Sequence, residues 1–113
     1  MIAPNISFDD FLKLDIRTGT IIAAETFPEA RKPAYKLSID FGDLGIMNSS
    51  AQIKNLYQPE DLIDRQIIAV VNFPAKQIGP YMSECLVLGV YDASNSVVLL
   101  STDQKVENGS KIC

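Results

Sequence analysis

The 113-residue chain contains no histidine. That absence excludes imidazole general bases, Ser-His-Asp and Cys-His arrangements, and His-ligated metals. Positive charge is scarce too: ten Lys and Arg face fourteen Asp and Glu, for a net charge of −4 and a pI of about 4.6. Such a balance gives no long-range steering toward a polyanion, although it leaves room for a local basic face. No run of about 18 apolar residues exists, so no helical membrane span is expected. The opening Met1-Ile2-Ala3-Pro4 has neither the basic region nor the apolar stretch of a signal peptide, which makes the cytoplasm the expected compartment. The two cysteines match no zinc or redox spacing. Cys85 lies in the apolar run Cys85-Leu86-Val87-Leu88 and reads as a small core residue, while Cys113 reads as an exposed thiol. No metal or cofactor is expected.

With 47% hydrophobic and 21% charged residues, the chain has what one folded domain needs. Ser7 can cap a short helix through Leu12, with Asp9 and Asp10 at its positive end and Phe8, Phe11 and Leu12 on one stripe. From Asp15 the chain turns β-branched, and Gly19 inside Ile16–Ala24 suggests a bend or bulge. Glu25 to Pro33 reads as a polar connection. Tyr35, Leu37, Ile39 and Phe41 alternate with polar residues, the mark of a half-buried strand. Gly42-Asp43-Leu44-Gly45 turns this strand into Ile46–Ser50 as a hairpin. Ala51–Tyr57 is expected to be helical, followed by a second short turn at Pro59. Ile67–Phe73 is a continuous apolar strand, Pro74–Met82 a loop, and Cys85–Tyr91 and Val97–Leu100 are two further strands.

Five or six short strands with one helix between the third and fourth suit few small architectures. The leading one is an all-β, five-stranded Greek-key barrel of the OB-fold type, here with a short N-terminal helix and a C-terminal strand. Periodicity alone also admits a β-sandwich or an SH3-like barrel. One domain over 1–113 is expected, with a helical extension over 1–14, the barrel over 15–92 and a C-terminal extension over 93–113. Catalysis is not expected. Asp9-Asp10 and Glu60-Asp61 read as helix-start charges, no nucleophile has a base beside it, and Gly42–Gly45 lacks the Lys and helix of a phosphate loop.

Several segments in order resemble the tRNA-binding domain family of OB-folds: Leu14-Asp15-Ile16-Arg17-Thr18-Gly19, Pro33 to Gly42, Ser49-Ser50-Ala51-Gln52-Ile53, Ala69 to Pro74, and Ser83 to Gly89. Within that family the resemblance is to the CsaA-type branch of secretion chaperones. It implies a cytoplasmic homodimer that binds the folded shape of tRNA, and a branch that also binds unfolded or export-bound polypeptides. The alternative it leaves is a peptide-binding chaperone whose RNA binding is lost. Two apolar surpluses, Phe8, Phe11 and Leu12 at one end and Val97, Val98, Leu99 and Leu100 at the other, suit a symmetric partner surface.

RNA binding needs cations for phosphates and polar groups for base edges and 2′-hydroxyls. Arg31, Lys32 and Lys36 supply three cations within six residues, and Lys36 falls on the Lys that the family carries in its second strand. Lys76 lies where the family has a basic stretch, Asn72 ends the fourth strand, and Ser83 and Glu84 match the family's serine-containing segment. Lys54 is a further phosphate candidate. Gln77 and Met82 stand where relatives often carry basic residues, which thins the expected charge. Phe73, Ile78, Tyr81 and Met82 can line an apolar groove for a peptide, or Ile78 and Tyr81 can pin the loop to the barrel.

Overall fold

The computed structural model describes all residues 1–113. One strand organises it. β1 (Ile16–Thr26) pairs antiparallel with β4 (Gln66–Val70) along Ile16–Thr20 and with β2 (Tyr35–Asp40) along Thr20–Thr26. Changing neighbours half-way requires a bend, and two residues provide it. The register with β2 skips Ile22, so this exposed residue is the extra one of a bulge. At Gly19 a Cβ would lie 2.7 Å from Ile39 Cγ2 and 2.8 Å from the Phe41 ring, so only glycine lets the core side chains of β2 cross there. The bend read at Gly19 is therefore shared between a close crossing and a bulge three residues on.

β2 turns through a 3-10 turn at Gly42–Leu44 into β3 (Ile46–Ala51). With β7 (Leu86–Val87) on the far edge of β4, the sheet order is β3-β2-β1-β4-β7. This is the five-stranded antiparallel barrel expected from the sequence, nearly closed where β3 meets the segment leading into β7. The core is filled as the alternation foretold: Tyr35, Leu37, Ile39 and Phe41 are all buried, against Ile21, Leu62, Ile67, Ala69 and Cys85. Each large apolar side chain so buried contributes roughly 1.5–3 kcal/mol over leaving it in water.

Three local readings are corrected. The helix between β3 and β4 is α2 (Pro59–Leu62), with Gln58 and Asp61 forming its capping box, whereas 51–57 leaves the strand as an irregular turn. Ile53 is buried, but Leu56 is exposed, so the apolar spacing there does not line a helix face. Pro74–Met82 contains a hairpin, β5 (Lys76–Ile78) and β6 (Tyr81–Ser83), turning on Gly79 at a positive φ of 56°. The strand read over Cys85–Tyr91 breaks into β7 and β8 (Gly89–Tyr91), and β8 pairs with β9 (Val97–Leu99) as a separate flap.

Side chains cap the helix at one chain end, and backbone and side-chain bonds together fasten the other. α1 (Phe8–Leu12) starts at Ser7, whose hydroxyl accepts from Asp10 N at 3.1 Å while the Asp10 carboxylate accepts from Ser7 N at 3.2 Å. The Lys13 ammonium, 3.0 Å away, and the Ser7 bonds hold the Asp10 carboxyl below its ordinary value. At the other end, residues 108–112 lie along the edge of β1 that β2 leaves free, through Thr18 N to Ser110 O, Gly109 N to Thr18 O and Ile112 N to Ile16 O. The Gln66 side chain holds the same tail, donating to Val106 O at 2.8 Å and accepting from Val106 N and the Thr102 hydroxyl. No buried side-chain polar atom lacks a partner.

Candidate nucleic-acid interface

Two arms stand above the barrel beside β2 and β3. One is the 27–34 connection, anchored by Phe27, which is buried although the sequence around it reads as polar. The other is the β5–β6 hairpin. It is pinned by Tyr81, whose ring meets Phe27 edge-on at 5.3 Å and whose hydroxyl donates to the Leu37 carbonyl at 3.1 Å, with the Ser49 carbonyl at 3.5 Å. Of the two roles open to Tyr81, groove wall and pin, these contacts describe the pin.

Between the arms lies a cleft of about 420 Å³. Arg31 and Lys32 line it from one arm, Lys76, Gln77 and Ile78 from the other, and Ser50 and Gln52 from the floor, with Glu29 the one acid. Arg31, Lys32 and Lys76 are exposed and none is in an ion pair. Residues 45 apart in sequence thus place three free cations around one concavity, with amide and hydroxyl groups at its base. Gln77 donates to Gly79 O at 3.2 Å and so also braces the hairpin turn.

Lys36 sits next door, in a cleft of about 270 Å³ lined with Glu25, Ser38, Asn48 and Tyr81. Its Nζ is 5.4 Å from the Phe27 ring centre, 5.6 Å from that of Tyr81 and 3.3 Å from Glu25 Oε1. The strand geometry turns Lys36 outward, but two rings and a carboxylate then enclose its charge. Lys54 lies outside both clefts, its ammonium 5.7 Å from the Tyr35 ring centre.

The polar candidates are occupied within the fold. Asn72 accepts from Asp15 N at 2.9 Å and donates to Lys13 O at 2.8 Å, which ties the helix-to-β1 junction to the end of β4. Ser83 and Glu84 stitch the barrel seam: the Ser83 hydroxyl accepts from Ser50 N at 3.1 Å and the Glu84 carboxylate from Asn48 N at 2.9 Å. A backbone bond from Glu84 N to Asn48 O and a Ser49 hydroxyl donating to Cys85 O complete the seam. Phe73, Lys76, Ser83 and Leu86 border a further cleft of about 200 Å³ beside this seam. Phe73 and Met82 are 47% and 46% exposed. Phe8 and Leu12 are exposed as well, whereas Phe11 and Val97–Leu100 are half-buried.

Glu25 and Phe27 belong to this geometry and had no signal of their own in the sequence, since both fall in a stretch without periodicity. The Cys85 thiol is pushed up to about 11, first by burial and then by the nearby Glu84 charge. The Tyr81 phenol is pushed up to about 12, by burial first and by Cys85 and Glu84 after it.

A family model described as "Putative tRNA binding domain" matches residues 16–111. A solved structure of the chaperone CsaA from Bacillus anthracis is 53% identical, covers 97% of this chain and 100% of its own, and superposes with a TM-score of 0.92. The CsaA chaperone protein from Picrophilus torridus, also 53% identical, gives a TM-score of 0.91 over 96% of this chain and 100% of its own. The methionine–tRNA ligase of Porphyromonas gingivalis is 36% identical over 111 residues, 98% of this chain but 16% of the ligase. The chain therefore spans about a sixth of the length of that relative and corresponds to one of its domains.

The pinned phenol sets a pH dependence. A folded-state pKa of about 12 against an ordinary 10.0 means that the folded protein holds the Tyr81 proton longer than the unfolded chain does. Its contribution to stability is full below pH 10.0 and is lost as pH rises toward 12. Urea unfolding across pH 9 to 12 is expected to show falling stability, from Cys85 between pH 9.0 and about 11 and from Tyr81 between pH 10.0 and about 12, with only the Tyr81 part missing in Tyr81→Phe. Parallel pH profiles for the two proteins would contradict the pin.

Proposed function

The chain belongs to the tRNA-binding domain family, in its CsaA-type branch, and from that membership we propose that it is a non-catalytic, cytoplasmic homodimer that binds tRNA through the cleft between the two arms. The observation that carries this reading is the convergence of Arg31, Lys32 and Lys76, all exposed and unpaired, on one concavity. Cations so held pair with backbone phosphates, while Ser50 and Gln52 on the floor offer donors and acceptors to a base edge or a 2′-hydroxyl. Lys36 borders the same face. The net charge of −4 supplies no steering, so affinity rests on these few local contacts. Three neutralised phosphates give a slope of log K against log salt of roughly −2 to −3, so binding weakens quickly between low and physiological salt.

The methionine–tRNA ligase match supports RNA binding and not aminoacylation, because the chain corresponds to 16% of that enzyme. No helix is long and apolar enough to cross a membrane. Fluorescence anisotropy with bulk tRNA at low salt is expected to show binding that falls at least about tenfold in the Arg31→Glu, Lys76→Glu double variant. Unchanged affinity would remove the cleft from the reading.

A second activity, binding of unfolded or export-bound polypeptides, is favoured by the exposed apolar side chains around the β5–β6 hairpin. Phe73, Met82 and Leu86 all lie there half-open to solvent, beside the cleft that Lys76 shares with Phe73. The identity to CsaA chaperones supports it. For the dimer, the exposed Phe8 at 69% and Leu12 at 50% supply an apolar face that α1 does not bury in its own chain. Wild-type protein is expected to sediment at twice 12.4 kDa and to suppress aggregation of a denatured test protein at near-stoichiometric dimer. Phe8→Glu, Leu12→Glu is expected to sediment as a monomer. Sedimentation of the wild type as a monomer would overturn the dimer, and failure to suppress aggregation at excess protein would overturn the chaperone activity.

A further inference from the structure

Resting on the tRNA-binding reading above, we infer that Glu25 limits affinity by occupying the Lys36 ammonium that an RNA phosphate must otherwise pair with. Among the candidate RNA-binding cations, Lys36 is the one with an ion-pair partner. The only salt bridges in the protein are Lys13–Asp10, Arg17–Asp15 and Lys36–Glu25. The pairing is built into the barrel, because Glu25 and Lys36 are directly opposite each other in the β1–β2 register. The two partners are unequal. The Lys36 side chain is 25% exposed and held over the Phe27 and Tyr81 rings, while that of Glu25 is 70% exposed.

That asymmetry decides which group can leave. The rings fix where the ammonium sits without neutralising it, and they remain when Glu25 swings out. Glu25 is anchored by one exposed contact at 3.3 Å, of a kind that is cheap to break. An incoming phosphate oxygen takes the place of Oε1 against Nζ, and the carboxylate turns into solvent. While bound, Glu25 subtracts a phosphate contact from the face; once displaced, it still repels the phosphate beside it. Glu25 is thus an internal competitor that keeps binding weak and reversible, next to a cleft whose other three cations stand free.

The test is tRNA titration by anisotropy at several salt concentrations, comparing wild type with Glu25→Gln, Glu60→Gln, Lys36→Met and the Glu25→Gln, Lys36→Met double variant. Glu60 is exposed on α2, lines neither cleft and carries the same charge, so its variant measures the effect of net charge alone. Glu25→Gln is expected to bind about fivefold tighter at low salt, with a salt slope steeper by roughly 0.9. The gain should vanish in the Lys36→Met background and be absent in Glu60→Gln. A wild type that binds while Glu25→Gln gains nothing overturns the inference and leaves the cleft reading standing. A gain that survives Lys36→Met, or that Glu60→Gln reproduces, also overturns it. Absence of binding by wild type and Glu25→Gln alike overturns the tRNA-binding reading and this inference together.

Discussion

The bend in β1 is the constraint on which the rest of the molecule depends. A straight strand of this length would keep one neighbour on each side. Bent at Gly19 and Ile22, β1 serves β4 with its first half and β2 with its second, and the edge left free at Ile16–Thr18 takes the C-terminal tail. The close crossing at Gly19 puts Ile39 and Phe41 at the barrel's centre. Beyond the bend β1 runs on through Glu25 and Thr26, opposite Lys36 and Tyr35, and from there the chain leaves as the arm that bears Phe27, Arg31 and Lys32. The fold's central contact and the basic cleft therefore follow from one strand changing direction.

Barrel closure shows a second economy. A full ladder between β3 and the strand before β7 would need backbone partners for Asn48 N and Ser50 N. The protein uses the Glu84 carboxylate and the Ser83 hydroxyl in their place, with one backbone bond between them. Side-chain stitches leave this edge irregular, and an irregular edge is a poor template for unwanted strand pairing. They also place the hairpin: β6 ends at Ser83, so the seam and Tyr81 together hold Lys76 across from Arg31.

Much of the barrel was legible in the sequence where one physical rule acted alone. Tyr35, Leu37, Ile39 and Phe41 alternate because one face of β2 is core, and Ser7 precedes Asp10 by the capping distance. Where two rules compete, local spacing misleads. Ile53, Leu56 and Tyr57 have helical spacing, yet Ile53 packs in the core and the Tyr57 hydroxyl accepts from Leu99 N of the flap, contacts that no local pattern encodes. The candidate site divided along the same line. Exposed cations could be listed from the sequence, but which of them meet was a matter of tertiary placement. A polar residue that binds a ligand and one that satisfies a distant backbone amide look alike, as Asn72, Ser83 and Glu84 do. Phe27 and Glu25, which shape the surroundings of Lys36, are hidden for another reason: the polar run from Glu25 to Pro33 reads as one connection, whereas β1 extends through Glu25 and Thr26 and only the residues from Phe27 onward leave it.

One face of this acidic protein gathers three unpaired cations, Arg31, Lys32 and Lys76, between two arms, beside a fourth, Lys36, held by rings and a carboxylate. The most direct test is to map amide chemical-shift changes of the isotope-labelled protein as tRNA is added at low salt. The account predicts that perturbations concentrate at residues 29–36 and 76–79, with the C-terminal tail and α2 unmoved. Perturbations centred on the tail or α2, with the arms silent, would contradict it.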